Sequence, residues 1–176
     1  MKNHPIRIVI TGPESSGKST LARELALHYK TVWVEEYARE YIGNLRRDYN
    51  YSDILEIAKG QISRENELAD KANKFLICDT GLLVPKIWCD VKYGKYHKWI
   101  SEKIENHKYD LYLLCDIDIE WQFDILREHP QKRNELFHLF LNELNIRNLP
   151  FKVIRGTGDL RIQNAISIID SMFVKK

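Results

Sequence analysis

A chain of 176 residues can bury one sizeable core and is too short for two full domains. With 44% hydrophobic and 30% charged residues its balance is that of an ordinary soluble fold, and a formal net charge of +2 is too small to make nucleic acid the main partner. No apolar run approaches the roughly 20 residues that span a bilayer, and the N-terminus lacks a signal peptide's hydrophobic segment, so a cytoplasmic protein with no membrane segment is expected. The cysteines Cys78, Cys89 and Cys115 are odd in number and lack metal-ligand spacing. Cys78 and Cys115 fall in apolar runs and read as small buried hydrophobes.

Ile6-Arg7-Ile8-Val9-Ile10 is a β-branched run that reads as a buried first strand. It leads into Gly12-Pro13-Glu14-Ser15-Ser16-Gly17-Lys18-Ser19-Thr20, which fits the pattern of a glycine, four residues, then Gly-Lys-Ser/Thr. From Leu21 the apolar residues recur at helical spacing. Strand, glycine loop and helix gather backbone N–H groups around an anion at the positive end of a helix. Lys18 can then reach the β- and γ-phosphates of ATP, and the Ser19 hydroxyl can ligate Mg²⁺. A Gly/Ser turn matching by chance explains the letters less well, because the flanking strand and helix are both present.

Thr31-Val32-Trp33-Val34-Glu35 predicts a second strand, and residues 37–45 a helix. Ser52 is the expected N-cap of a long helix running to about residue 73. Phe75-Leu76-Ile77-Cys78 predicts a third strand with Asp79 at its carboxyl edge, followed by a helix over 82–92 that carries Trp88 and stops at Gly94. Further helices are expected over 96–106 and 133–145, with a fourth strand at Leu111-Tyr112-Leu113-Leu114-Cys115 and a fifth at Phe151-Lys152-Val153-Ile154. Gly156-Thr157-Gly158-Asp159 then turns into a last helix ending near residue 173. Strands separated by helices argue for a parallel α/β sheet covered on both faces, with its working edge at the strands' carboxyl ends.

Two acidic positions stand at that edge beside the loop. Asp79 is placed to hold Mg²⁺, directly or through water, and an N-cap for the next helix is a compatible alternative. Glu35 and Glu36 end the second strand. A carboxylate there can take the proton of an attacking hydroxyl, against the alternative of a solvated charge pair. The block Glu36-Tyr37-Ala38-Arg39-Glu40-Tyr41 suits a small polar, partly aromatic ligand, although Tyr37 and Tyr41 packed inward explain the same letters. Trp121 lies in a polar loop where a core role is less natural. The cations from Arg127 to Arg133 form either a solvated run or a lid, over about 120–135, that closes on ATP phosphates.

These pieces resemble the ribosylnicotinamide kinase domain of the NadR proteins of NAD biosynthesis. The match is carried by Gly12 to Leu21, by Glu36-Tyr37-Ala38-Arg39-Glu40-Tyr41 and by Asp79-Thr80. It continues through Trp121, Asp124, Leu126-Arg127 and Arg133 to Gly156-Thr157-Gly158-Asp159 and Arg161. The resemblance covers nearly the whole chain, with Glu120 and Ile125 departing from the expected Pro and Gly. It implies a P-loop nucleoside/nucleotide-kinase fold with a helical lid, one kinase domain over residues 1–176, and transfer of the ATP γ-phosphate to the 5′-hydroxyl of nicotinamide riboside. It further implies Lys18, Ser19 and Asp79 around ATP–Mg²⁺, with Arg127 and Arg133 in the lid. The turn carrying Gly156, Gly158 and Asp159 is implied near the adenine, with Tyr37 and Trp121 near the nicotinamide. Arg39, Tyr41, Trp88 and Asp124 complete the expected acceptor site, and the catalytic set is Lys18, Glu36, Asp79 and Arg127. Only five residues precede the first strand, so the regulatory and adenylyltransferase parts of NadR are not expected here. A kinase for another nucleoside, a vitamin alcohol or a nucleoside monophosphate is the nearest alternative, and a regulatory NTPase switch is a second.

Overall fold

The computed structural model describes residues 4–124 and 131–174. Its strands are β1 (Ile6–Thr11), β2 (Trp33–Val34), β3 (Phe75–Asp79), β4 (Leu111–Cys115) and β5 (Phe151–Ile154). They form one parallel sheet in the order β2-β3-β1-β4-β5. Helices α1 (Lys18–His28), α2 (Tyr37–Gly43), α3 (Tyr51–Ala69), α4 (Leu83–Tyr93), α5 (Lys98–Asn106), α6 (Arg133–Ile146) and α7 (Gly158–Phe173) connect and cover it.

Both faces of the sheet are buried, so its strands are apolar throughout instead of alternating. In β1, Ile8 and Ile10 pack with Leu21 and Leu25 of α1 and with Ala165 and Ile169 of α7. Val9 points the other way, into a core with Ile54 and Ala58 of α3 and Ile87 of α4. The three cysteines are free thiols inside these cores. The register pairs Ile10 with Asp79 and Thr11 with Leu114, which brings the carboxyl ends of β1, β3 and β4 to one edge. Among the described residues no helix is long and apolar enough to cross a membrane.

Element types follow the sequence closely, and the boundaries differ for local reasons. The second strand shrinks to Trp33–Val34 because it is an edge strand paired with β3 alone. Thr31 spends its hydroxyl on the Phe75 carbonyl at 2.6 Å instead of joining the ladder. Helix α3 is capped by Asn50 and not by Ser52: the Asn50 side chain accepts from Ser52 and Asp53 N–H groups, and Asp53 Oδ2 in turn accepts the Asn50 N–H at 2.7 Å. It ends at Ala69, short of residue 73. Helix α5 starts at Lys98 because His97 is held outside it, stacked 3.8 Å from the Tyr51 ring.

Asp53 also accepts both guanidinium nitrogens of Arg47, at 2.6 and 2.9 Å, and the Tyr41 hydroxyl at 2.9 Å. Arg47 holds the Asp53 carboxyl well below the usual carboxylate range, against the opposing effect of burial. A depressed folded pKa stabilises above the unfolded value, near 4, and the contribution fades as pH falls through the folded value. An Asp53→Asn variant is therefore expected to melt earlier than the parent at pH 7. Thermal scans from pH 7 to pH 2 should show the two converging, and a constant gap would contradict the linkage.

Candidate active site

The loop after β1 turns sharply because its ends are glycines. Gly12 has φ 135°, and a Cβ there would lie 2.9 Å from the Cys115 carbonyl oxygen, so only glycine fits. Gly17, at φ 78°, precedes the first residue of α1 and directs the loop's amides toward that helix's positive end. The Ser16 hydroxyl donates to the Pro13 carbonyl at 2.7 Å, which ties the loop across itself. Lys18 Nζ donates to the carbonyls of Gly12 and Pro13 at 3.0 and 2.7 Å, so its ammonium stays with the loop. Residues 12–18 thus combine amide donors with a fixed cation, which suits a polyphosphate.

Asp79, at the end of β3, is 3% exposed and within reach of the Ser19 hydroxyl. Burial, then the charge of Glu36, pushes its carboxyl up to about 6, while Ser19, Lys18 and Arg39 pull it back. Its Oδ1 is buried without a hydrogen-bond partner among the described residues. An unpartnered carboxylate oxygen beside a hydroxyl is a hard-oxygen donor set of the kind Mg²⁺ takes. Helix α4 is capped at Leu82 without a side-chain bond, so Asp79 does not serve as its N-cap.

Glu36 occupies the turn between β2 and α2 and faces inward, whereas Glu35 is exposed. It shares a cleft with Gly12, Glu14, Lys18, Trp88 and Phe140. The walls are otherwise aliphatic, from Val84, Ile87 and Val91 of α4 and Leu136 of α6. Trp88 is fixed in this wall by its Nε1–H, which donates to the Tyr49 hydroxyl at 2.9 Å, and by an edge contact with the Tyr49 ring. Glu36 and Lys18 also line a smaller polar space with Ser19, Thr20 and Arg39. Arg39 pairs with Glu36 at 3.4 Å and with Asp124 at 2.9 Å, linking α2 to the segment after β4. A phosphate site and an apolar compartment therefore meet at Glu36 and Lys18.

On the far side of the loop lies a third space, lined by Thr20, Leu21, Ile119, Gln122, Asp159 and Ile162. Gln122 N–H donates to the Ser15 hydroxyl at 2.8 Å, which brings the segment after β4 against the loop. Gly156 and Gly158 take φ 97° and 51° in the turn that shapes this space before α7. Its position beside the phosphate loop suits a nucleoside base.

Several expected site residues stand elsewhere. Tyr37 and Tyr41 line a separate depression with Gly60 and Arg64 of α3. The Arg64 guanidinium lies 4.7 Å from the Tyr37 ring centre, and Tyr41 is committed to Asp53. Trp121 is half-buried against Phe123, with ring centres 6.3 Å apart, and is not among the residues lining the cleft that Trp88 lines. Arg133 turns its guanidinium to backbone carbonyls, of Ile119 at 2.9 Å and Ser15 at 3.0 Å. Arg127, with the middle of the expected lid, lies outside the described residues. The letters did not single out the apolar walls from Val84, Leu136 and Phe140, whose period reads simply as core. Nor did they reveal the work of Arg161, although it repeats in helical register with buried Ala165 and Ile169.

A family model for the AAA domain matches residues 7–161, most of the chain. The chain belongs to that family. It is also 29% identical over 172 residues to the trifunctional NAD biosynthesis/regulator protein NadR of Escherichia coli, covering 94% of this chain and 42% of that protein. The Salmonella typhimurium NadR is 28% identical over the same lengths, so the chain spans less than half of these relatives. Among solved structures, NadR in complex with NR superposes with a TM-score of 0.79 at 22% identity, over 98% of this chain and 52% of that one. Thymidylate kinase from Candida albicans gives 0.67 at 18% identity, over 96% and 92%. Deoxyadenosine kinase from M. mycoides gives 0.66 at 15%, over 94% and 99%. The fold is that of the P-loop nucleoside and nucleotide kinases.

Proposed function

We propose that this chain is a cytoplasmic, ATP-dependent kinase that phosphorylates the 5′-hydroxyl of nicotinamide riboside to give nicotinamide mononucleotide. The observation that carries the reading is the junction at Glu36 and Lys18, where the phosphate loop opens onto an apolar cleft walled by Trp88. ATP lies with its base in the space beside Ile119 and Asp159 and its phosphates along residues 12–20. The acceptor fills the cleft, with its hydroxyl toward Glu36. The hydroxyl oxygen bonds to the γ-phosphorus, its proton passes to the Glu36 carboxylate, and the bond to the β-bridging oxygen breaks to release ADP. Lys18 neutralises charge gathering on the transferred group. Ser19 and Asp79 would hold Mg²⁺, which when bound screens the polyphosphate's negative charge. The similarity to NadR and to nucleoside kinases supports the class, and Glu14 and Glu36 lining the same cleft as Trp88 suit a cationic ring. The direct test incubates ATP with nicotinamide riboside, other nucleosides and vitamin alcohols, following ADP release and product mass. No phosphorylated nicotinamide riboside would remove this acceptor, and release of phosphate from ATP without any acceptor would favour a nucleotide switch.

Trp88 supplies a sharper check. A cation over an indole face gains about 0.5–2 kcal/mol. Trp88→Ala is expected to raise the KM for nicotinamide riboside by up to roughly 30-fold, with a much smaller effect on ATP. Trp121→Ala, outside the cleft, should leave the acceptor KM nearly unchanged. Steady-state kinetics on both substrates decides between the two indoles, and the reverse pattern would return the stacking role to Trp121.

A further inference from the structure

Arg161, in the first turn of α7, is 4% exposed, and such a guanidinium must have its N–H groups satisfied. Its acceptors come from three separate segments. Nε donates to the Gly156 carbonyl at 2.7 Å, Nη1 to the Ser16 carbonyl at 2.8 Å, and Nη2 to the Asp116 carbonyl at 3.1 Å and to Asp118 Oδ1. Asp118 Oδ2 in turn accepts the Gly156 N–H at 2.6 Å. One buried side chain thus joins the phosphate loop, the segment after β4 and the turn before α7.

The bond to Ser16 has a directional consequence. A trans peptide is planar with its C=O and N–H opposed, so fixing the Ser16 carbonyl fixes the Gly17 N–H in the opposite sense. With Arg161 held on that carbonyl, the Gly17 N–H is turned to the opposite side of the peptide, and it has no acceptor among the described residues. Arg133 does the same one residue earlier, holding the Ser15 carbonyl at 3.0 Å. Gly17 is the residue least able to hold this orientation alone, since its φ of 78° has no Cβ to restrict it. Two arginines distant in sequence therefore hold consecutive peptide units of one anion cradle.

We propose that Arg161 is a positioning residue that presets the Gly17 amide for the donor's polyphosphate and clamps the cradle to the turn bordering the base space. This rests on the nucleotide-binding reading above and not on the identity of the acceptor. Lysine cannot substitute fully, because one ammonium lacks the planar fork that spans acceptors on three segments. A role confined to folding would lower stability and weaken all ligands together. A positioning role weakens the triphosphate more than the bare nucleoside.

The experiment is isothermal titration of ATP and of adenosine, at fixed Mg²⁺, into the parent, Arg161→Lys and Arg161→Met, with a melting curve for each. Arg161→Met strands Asp118, so an Arg161→Met/Asp118→Asn variant, which removes both charges, accompanies it. ATP is expected to weaken about 10- to 100-fold in the Met variants and less in Arg161→Lys, with adenosine, whose proposed space Arg161 also lines, weakened by a clearly smaller factor than ATP. A folded variant whose ATP-to-adenosine affinity ratio matches the parent's overturns the proposal, as does a parallel loss of both ligands. A parent that binds ATP without phosphorylating nicotinamide riboside costs only the acceptor assignment. A parent that binds no ATP sinks the nucleotide reading and this proposal with it.

Discussion

A Lys18→Ala variant is expected to fold like the parent and to transfer phosphoryl groups at least roughly 100- to 1000-fold more slowly, the scale of losing one preorganised group at developing charge. The fold should survive because the lysine's bonds, to the carbonyls of Gly12 and Pro13, lie within the loop. The core beneath is built from Ile8, Ile10, Leu21 and Leu25, which the change does not touch. Catalysis should not survive, because the transferred group gathers negative charge with little covalent chemistry to share it. Circular dichroism and melting curves establish folding, and coupled ADP release measures turnover. Turnover near the parent's in a folded variant would falsify the assignment of Lys18.

The phosphate loop was legible in the sequence because its requirements are local. A β-branched strand, two glycines and a helix beginning at the lysine are all short-range features, and Gly12 against the Cys115 carbonyl shows why the first glycine is needed. Asp79 was legible for a similar reason, since an acid closing an apolar run falls at the sheet edge whatever the rest of the chain does. The parallel sheet followed from the alternation of runs. The order β2-β3-β1-β4-β5 did not, because pairing is decided between segments distant in sequence.

What stayed hidden depends on which face of an element meets which neighbour. Tyr37 and Tyr41 look like ligand aromatics in a string of polar letters, and α3 claims them instead. A Cβ at Gly60 would come within 2.0 Å of the Tyr37 ring, so this mid-helix glycine is where the tyrosine packs. Trp88 was expected at the acceptor site, but its place as a cleft wall depends on part of the apolar face of α4 being left uncovered by the core, which the letters do not show. Trp121 stood out because its neighbours are polar, a property of local sequence that does not say which side of the loop the indole will take. Arg133 looked like a lid cation and is engaged with backbone carbonyls, a kind of partner that leaves no trace in side-chain letters.

The second large effect separates the two carboxylates. Glu36→Gln is expected to cut turnover by roughly 100-fold or more, as loss of a general base does, while ATP binding persists. Asp79→Asn is expected instead to raise the Mg²⁺ concentration needed for half-maximal turnover. Exposure divides the roles. Glu36 lines both the cleft proposed for the acceptor and the polar space by the phosphate loop, where an incoming hydroxyl could reach it. Asp79 is 3% exposed behind Ser19, too deep for an acceptor and well placed for a cation beside the loop. Burial and the charge of Glu36 raise the Asp79 carboxyl to about 6, and a bound cation would reverse that by favouring the charged form. Glu36→Gln also removes the neighbouring negative charge that helps raise Asp79, so Mg²⁺ requirement in that variant should not increase. Turnover measured across Mg²⁺ concentration for both variants, alongside ATP titration, distinguishes the roles. If Asp79→Asn loses turnover at saturating Mg²⁺ while Glu36→Gln shifts only the metal requirement, the assignment is reversed. Unchanged kinetics in both would place the proton acceptor outside this pair.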